Sequence, residues 1–536
     1  MGMFLNNLAP FSNYKKALEN PYFIDKSSFI EDLLNTARTN QYICITRPRR
    51  FGKTVMANML GAFLSNSEDS SGIFENLRIA NSPVYHQHLN KHTVIFIDFS
   101  RMPSKCDTYN AYIDRIENGL KSDLLESYPH LHLDARKSLW DIFNELFSKN
   151  GQEKFVFIID EWDALFHMPF ASERDKQSYL LFLKSLLKDQ EYIELAYMTG
   201  ILPIAKYSDG SELNMFAEYD MATKIRFSDY FGFSEAEVNL LYERYLNSTK
   251  DQRITRDDLM EWYDGYHTAS GERMYNPRSV VSALTDNQLA NYWTSSGTYD
   301  SIFFYVKNNI SDVQDDLALM VSGERVEARI QEYAASSLNL QTRDQIYSAM
   351  VVYGLLTYED GEVFIPNKEL MLKFEEMLLN KSSLGYVYRL TNESSKMLKA
   401  TLAGDTQTMS EILQYAHNTE TPILSYNNEV ELSSIVNLVY LSARDKYRIE
   451  REDKAGKGYV DFIFYPVKKQ DVCIILELKV DHSPEDAIRQ IKEKQYALRL
   501  QGKLGEDSPY TGRILLVGIS YSTETKEHFC KVEWAE

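Results

Sequence analysis

The sequence predicts an α/β chain: a parallel sheet first, then a helical lid, a helical middle region, and a second α/β unit at the end. Three observations carry this expectation. Between Tyr42 and Phe227 short apolar runs alternate with helical stretches, the order that builds parallel strands covered by helices. One of those runs, Tyr42-Ile43-Cys44-Ile45, leads into Gly52-Lys53-Thr54 and then a helical stretch. Near the C-terminus, Gly458 to Tyr465 and Val472 to Lys479 read as two strands joined by the charged turn Pro466 to Asp471. A chain of 536 residues has room for about three or four domains, and the expected boundaries are 1–230, 231–290, 291–420 and 421–536.

In order along the first segment, the strand candidates are Tyr42 to Thr46, Val94 to Asp98, Phe155 to Ile159, Leu195 to Thr199 and Thr223 to Phe227. Asp175 to Lys188 is the clearest helix between them. The stretch Thr46-Arg47-Pro48-Arg49-Arg50-Phe51-Gly52-Lys53-Thr54 reads as a phosphate-binding loop between strand and helix. Gly52 lets the backbone approach phosphates, Lys53 reaches the β and γ phosphates, and Thr54 offers its hydroxyl to Mg²⁺ while the helix points its positive end at the anion. The usual pattern opens with Gly, and Arg47 stands in that place. The second half of such a site is Asp160-Glu161, at the end of an apolar strand, where a first carboxylate holds Mg²⁺ and a second polarises the attacking water. Thr199, ending the next strand, either contacts the γ-phosphate or is a turn threonine.

Tyr22-Phe23-Ile24-Asp25-Lys26-Ser27, Arg47 to Thr54, Ile159-Asp160-Glu161 and Thr199-Gly200-Ile201-Leu202 together resemble the AAA-ATPase-like family of prokaryotic proteins. In that family Arg-Pro-Arg-Arg-Phe-Gly-Lys-Thr is the usual form of the loop, so the resemblance accounts for Arg47. It covers the first half of the chain and implies a P-loop NTPase core that binds ATP with Arg50, Gly52, Lys53, Thr54, Asp160 and Thr199, with Glu161 catalytic and Mg²⁺ on Thr54 and Asp160. Three fates are open to Arg47, Arg49 and Arg50: charge near the phosphates, contact with a neighbouring domain or nucleic acid, or a solvated basic turn.

The lid is expected to open with Ser234-Glu235-Ala236-Glu237, a capping box before a helix through Tyr245. A second helix starts at Asn276-Pro277, with proline at its first position. It is either an ordinary helix start or a proline turn against the nucleotide base. Trp262-Tyr263-Asp264-Gly265-Tyr266-His267 also resembles the family and reads as lid packing. From Asn291 to Tyr415 the pattern is helical, with few turn signals and no reactive cluster.

The C-terminal hairpin brings a second chemistry. It sets Asp461 near Glu477 and Lys479, and strand alternation puts Glu477 and Lys479 on one face with Leu478 on the other. Two carboxylates suit Mg²⁺, and the lysine positions water or steadies phosphate charge. A salt-bridged edge hairpin would show the same letters. From about Asn428 to Leu516 the chain resembles the PD-(D/E)XK nuclease superfamily, which implies a restriction-endonuclease-like α/β domain. Asp461, Glu477 and Lys479 would be its catalytic residues, with metal on Asp461 and Glu477. Glu429, on a helix from Glu429 to Leu441, matches an additional acidic position, and Gln490, Lys494 and Tyr496 lie on the following helix.

Composition narrows the partners. The formal charge of −19 and pI near 5.1 argue against a broad nucleic-acid-coating surface, while a local basic groove stays open. Cys44, Cys106, Cys473 and Cys530 show neither zinc spacing nor a disulfide framework. Met1 to Lys16 lacks a charged start followed by a long apolar run, and no apolar stretch approaches a membrane span, so the expectation is a cytoplasmic protein with no membrane partner. The cofactors implied are ATP and Mg²⁺, and DNA or RNA is the partner a nuclease domain would take. The function expected is an ATPase coupled to a Mg²⁺-dependent nuclease-like domain. The alternative is a nucleotide-dependent switch or interaction protein whose nuclease-like domain recognises without cleaving; an ATPase acting on protein substrates is a third reading. An arginine finger from a neighbouring copy would require an oligomer, and the sequence assigns neither.

Overall fold

Four strands that are apolar along nearly their whole length must be covered on both faces, which is the habit of parallel sheets. The structure, a computed structural model, describes all residues except 1, 102, 104, 205–211, 294–312, 322, 331–339, 341, 381–384, 419–428, 456–457, 469, 495–511 and 536. In it β1 (Tyr42–Thr46), β2 (Thr93–Asp98), β3 (Phe155–Asp160), β4 (Ile193–Gly200) and β5 (Ala217–Tyr219) form one sheet in the order β2-β3-β4-β1-β5. Every pairing is parallel. β1 and β3 are buried throughout and β4 at all but one position. The order sets β4 between β1 and β3, so the loop after β1 and the acids after β3 open at the same carboxyl edge, where ligands of such sheets bind.

The chain forms two compact units, one of Met1–Ile302 with Glu327–Leu370 and one of Phe303–Val326 with Met371–Glu536. Residues 291–420 therefore contribute to both. In the first unit α1 (Lys53–Leu64) follows the loop, and α2 (Glu173–Leu187) starts on a Ser172 capping box. Of the lid helices, α3 (Glu235–Ser248) starts on the Ser234 capping box, α4 (Arg256–Tyr263) on Thr255, and α5 (Pro277–Asp286) on an Asn276 cap with Pro277 at its start.

Two expectations about elements are corrected. The fifth strand is Ala217–Tyr219, and Thr223 to Phe227 is a turn. Asp220 Oδ1 accepts the Thr223 N–H at 2.7 Å, Phe227 has φ 65°, and residues 223 to 226 are exposed. Its β-branched and aromatic letters resemble a strand, but the aspartate side chain bends the backbone first. The stretch from Asn291 to Tyr415 is not wholly helical: Thr357–Glu359 and Glu362–Phe364 pair antiparallel. The hairpin turns on Asp360 and Gly361, both at positive φ, an Asp-Gly pair suited to such a turn.

In the second unit α6 (Glu429–Val439) precedes β6 (Tyr447–Ala455), β7 (Gly458–Pro466) and β8 (Cys473–Val480). Then α7 (Pro484–Glu493) crosses to β9 (Ile514–Tyr521), and β10 (His528–Trp534) ends the sheet. These strands lie in sequence order. β8 and β9 are parallel and the other pairs antiparallel, so the sheet is mixed, with α7 as the crossover that a parallel pair needs.

Candidate functional site: a phosphate loop and two acidic centres

The loop after β1 turns at Gly52, whose φ of 90° is a conformation that favours glycine. Lys53, only 4% exposed, opens α1 and donates from Nζ to the carbonyls of Arg47 and Pro48, each at 3.1 Å. Arg50, Gly52, Lys53, Thr54 and Glu161 line a cavity of about 530 Å³, whose other walls include Tyr22, Ile24, Phe233, Pro277 and Val281. The α5 start thus belongs to the cavity wall. The cavity joins a cationic end at the loop to an apolar end, the combination that suits a phosphorylated ligand with an apolar body.

Asp160 is fully buried. Its Oδ1 accepts the Glu161 N–H at 3.1 Å, and its Oδ2 is buried without a hydrogen-bond partner. Burial pushes its carboxyl up to about 7, helped by the charges of Glu161 and Asp98 and opposed by Thr54 and Lys53. Asp98 stands beside it in the β2–β3 register. Glu161 sits at φ 51° and is also raised by burial, with Lys53 and Arg49 pulling the other way. Thr199 is buried and its hydroxyl donates to the Ile45 carbonyl at 2.9 Å, tying β4 to β1. The next residues fix this edge. Asp163 Oδ2 accepts the N–H groups of Ile201 and Leu202 at 3.1 and 2.9 Å, and Trp162 Nε1 donates to the Leu202 carbonyl at 3.1 Å. Burial opposes ionisation of Asp163, yet His167 and the Leu202 N–H hold it below the usual carboxylate range. Sequence reasoning missed Asp98, Trp162 and Asp163. The two acids carried a signal, in the aspartate ending the neighbouring strand and the third acid after Asp160-Glu161.

The loop arginines separate by role. Arg47 is not a solvated turn residue: it is 1% exposed and donates to the carbonyls of Thr46 and Tyr219 at 2.8 Å and of Phe227 at 3.0 Å. Its guanidinium lies 4.9 Å from the Phe231 ring centre. It is a strut beneath the loop, because a buried planar cation can satisfy several carbonyls at once. Arg49 acts electrostatically on Glu161, and Arg50 faces the cavity. Phe51 packs edge-on against Tyr266, centroids 4.9 Å apart. Tyr266 thus sits against the loop, and the His267 N–H donates to Thr357 Oγ1 at 2.8 Å. Gly265, at φ 96°, leaves no room for a side chain, since a Cβ would fall 2.0 Å from the Pro366 carbonyl oxygen. The Asp25-Lys26-Ser27 stretch is a brace. Asp25 accepts the Arg78 N–H at 2.7 Å, Ser27 that of Ile79 at 3.0 Å, and Lys26 pairs with Glu237 at 2.7 Å.

In the second unit the β7–β8 register pairs Phe462 with Leu476, which brings Asp461 beside Glu477. Asp461 Oδ2 accepts the Leu478 N–H at 2.7 Å. Glu477 is 2% exposed, Gln490 donates to its Oε1, and its Oε2 is buried without a partner. Burial pushes Glu477 up to about 8, with Asp461 adding to the effect and Lys479 opposing it. Lys479 Nζ lies 3.4 Å from both Glu477 and Glu429. Burial disfavours its charge, but these carboxylates outweigh it and raise its pKa. Lys494 caps the end of α7. Tyr496 lies outside the described residues.

Each acidic centre thus holds one buried carboxylate oxygen in want of a partner. A hard divalent cation fits such an atom, and Mg²⁺ is commonly held by one or two carboxylates with water and phosphate completing its shell. Among the described residues no three His, Cys, Asp or Glu side chains form a metal-holding group, so the fit is to that sparse kind of site. None of the four cysteines forms a disulfide, and among the described residues no helix is long and apolar enough to cross a membrane.

A parallel sheet with a glycine-lysine-threonine loop at one strand end and an acid pair at another defines a P-loop core. Residues 11–208 match the family described as predicted AAA-ATPase, and residues 428–527 match the PD-(D/E)XK nuclease superfamily. The chain carries an AAA-ATPase-like domain followed by a PD-(D/E)XK superfamily domain. Among solved structures, a Walker-type ATPase of Pyrococcus abyssi is similar at 12% identity and TM-score 0.36, over 65% of this chain and 94% of that one. The ORC2 protein of Aeropyrum pernix, in ADPNP and ADP complexes, is similar at 11% identity and TM-score 0.33, over 67% and 97%. Both likenesses are too loose to decide anything about this chain. No curated protein matches it.

Proposed function

We propose that the first unit binds and hydrolyses ATP with Mg²⁺ and that the C-terminal domain cleaves nucleic acid with a divalent metal. The observation that carries the first half is the meeting of Lys53, Thr54 and Glu161 around one cavity, with Asp160 within electrostatic reach of Lys53. Lys53 exchanges the carbonyls of Arg47 and Pro48 for phosphate oxygens, a charge-assisted and therefore stronger contact. The α1 N-terminus adds its unpaired N–H groups and positive end. Mg²⁺ held by Thr54 and Asp160 supplies charge neutralisation across the phosphates. Glu161 accepts a hydrogen bond from the attacking water and aims it, with Lys53 and then Arg49 favouring its ionised form against burial.

In the C-terminal domain Asp461 and Glu477 are the residues to hold Mg²⁺, which supplies Lewis acidity at a phosphodiester. Gln490 orients Glu477, and Lys479 steadies the charge that develops on phosphate. Phosphate release and cleavage of single- and double-stranded DNA and RNA, with and without ATP, test both halves. Lys53→Ala should lose ATP binding, Glu161→Gln should bind without turnover, and Asp461→Ala should lose cleavage. ATP turnover unchanged in both loop-site variants removes the ATPase reading. Absence of any metal-dependent cleavage by wild type favours the recognition-only domain.

A further inference from the structure

The first unit also holds a buried carboxyl, Glu369, that the ATPase chemistry does not use. Glu369 is 0% exposed, and three donors converge on its two oxygens. The Ser279 hydroxyl faces both, at 3.0 and 2.8 Å. The N–H groups of Tyr292 and Trp293 donate to Oε1 at 2.6 and 2.7 Å. Around it the chain is docked on the lid: Asn367 Nδ2 donates to the Asp264 carbonyl at 2.9 Å, and Lys368 pairs with Glu261 at 2.9 Å. Burial pushes the Glu369 carboxyl up to about 7, against the pull of Ser279, the two N–H groups and, from the phosphate loop, Arg50.

Its partner Ser279 decides what this network acts on. Ser279 is the third residue of α5, the helix whose Pro277, Arg278 and Val281 line the cavity. One side of the helix start therefore forms the cavity wall, while the buried Ser279 is held from behind. Arg50 lines the same cavity and acts electrostatically on the same carboxyl. An apolar group in place of Glu369 would pack, but it would leave a hydroxyl and two N–H groups without an acceptor.

We propose that Glu369 is a positioning residue for the nucleotide site: through Ser279 it fixes the cavity wall formed by the start of α5. The inference rests on the ATP-binding reading above. It places Glu369 in ligand affinity, with no part in the chemical step. Bound ATP would be gripped between a loop and a wall held by one carboxyl, so loosening the wall weakens binding while the acids at the ends of β2 and β3 stay where they are.

The test is steady-state phosphate release by the full chain with Mg²⁺ and ATP. Ser279→Ala and Glu369→Ala should raise KM roughly tenfold, the scale of one or two lost hydrogen bonds, with kcat within about twofold of wild type. Glu369→Gln keeps the shape and the acceptor oxygen and should restore most of the affinity. A merely structural role would give the reverse pattern, a fall in kcat that follows the folded fraction with KM unmoved. KM within about twofold of wild type in Ser279→Ala overturns the proposal, and this variant decides it should Glu369→Ala not fold. Calorimetry with ATP separates the two possible failures. If wild type binds ATP and Ser279→Ala binds it equally well, only the positioning role falls; if wild type and Lys53→Ala both fail to bind, the nucleotide reading falls with it.

Discussion

Replacing Asp160 by asparagine should make the nucleotide-free protein more stable at pH 8, although the residue lies at the centre of the proposed ATP site. The fully buried carboxyl ionises near pH 7, against an ordinary value of 3.8. Between those values the unfolded chain releases the proton and the folded chain keeps it, so stability falls as pH rises and the loss is complete above about 7. At 1.36 kcal/mol per pH unit, the gap corresponds to about 4 kcal/mol at pH 8 and about 1–2 kcal/mol at pH 5. Asparagine removes this term. Its new N–H groups lack a partner where Oδ2 now stands, a cost of about 1–3 kcal/mol that does not depend on pH. The difference between the two pH values is about 2–3 kcal/mol in favour of the variant at pH 8, or about 3–4 °C in the melting of a unit this size. Thermal melts of wild type and Asp160→Asn at pH 5 and pH 8 without nucleotide measure it. With Mg²⁺ and ATP the order at pH 8 should invert, since only wild type keeps the carboxylate proposed to hold the metal. An offset between the two proteins that is equal at pH 5 and pH 8 would refute the placement of this carboxyl as buried and costly to ionise.

Arg47→Met should destabilise the first unit by about 3 kcal/mol or more, because three strand-end and turn carbonyls lose a charged donor. Arg47→Lys should not rescue it, since one ammonium cannot span that fork; a melt unchanged from wild type in either variant would sink the strut role. In the C-terminal domain, Glu477 ionises near pH 8, so Mg²⁺ binding at pH 7 should release about one proton and tighten as pH rises toward 8. Calorimetry in buffers of different ionisation enthalpy reads this directly, and binding without proton release, or binding retained in Glu477→Gln, contradicts the site. If ATP state governs the nuclease-like domain, Glu161→Gln with ATP should cleave at a different rate from Lys53→Ala. Equal cleavage by wild type and both variants, with and without ATP, would mean that the domains share a chain without sharing a mechanism.

What could be read in advance follows from the range of the interactions involved. The strand-loop-helix at Gly52-Lys53-Thr54, the strand ending in Asp160-Glu161 and the hairpin joining Asp461 to Glu477 are local patterns of period and turn chemistry, and each folds as its letters imply. Thr223 to Phe227 shows the limit of that reading, because the side chain of Asp220, outside the run, turns a strand-like string into a loop. Arg47 was harder to read. A sequence shows a cation next to a phosphate loop, but its direction is set by carbonyls that arrive from Tyr219 and Phe227, more than 170 positions away. Glu369 is no more legible, because its hydrogen-bond partners Ser279, Tyr292 and Trp293 lie 76 to 90 positions away and none of them carries a motif. These contacts bear on why the loop lacks its usual opening glycine. A glycine at position 47 would free the backbone to wrap phosphate and would remove the strut; arginine gives up that freedom and fixes the loop through its side chain, leaving Gly52 as the loop's one glycine at positive φ.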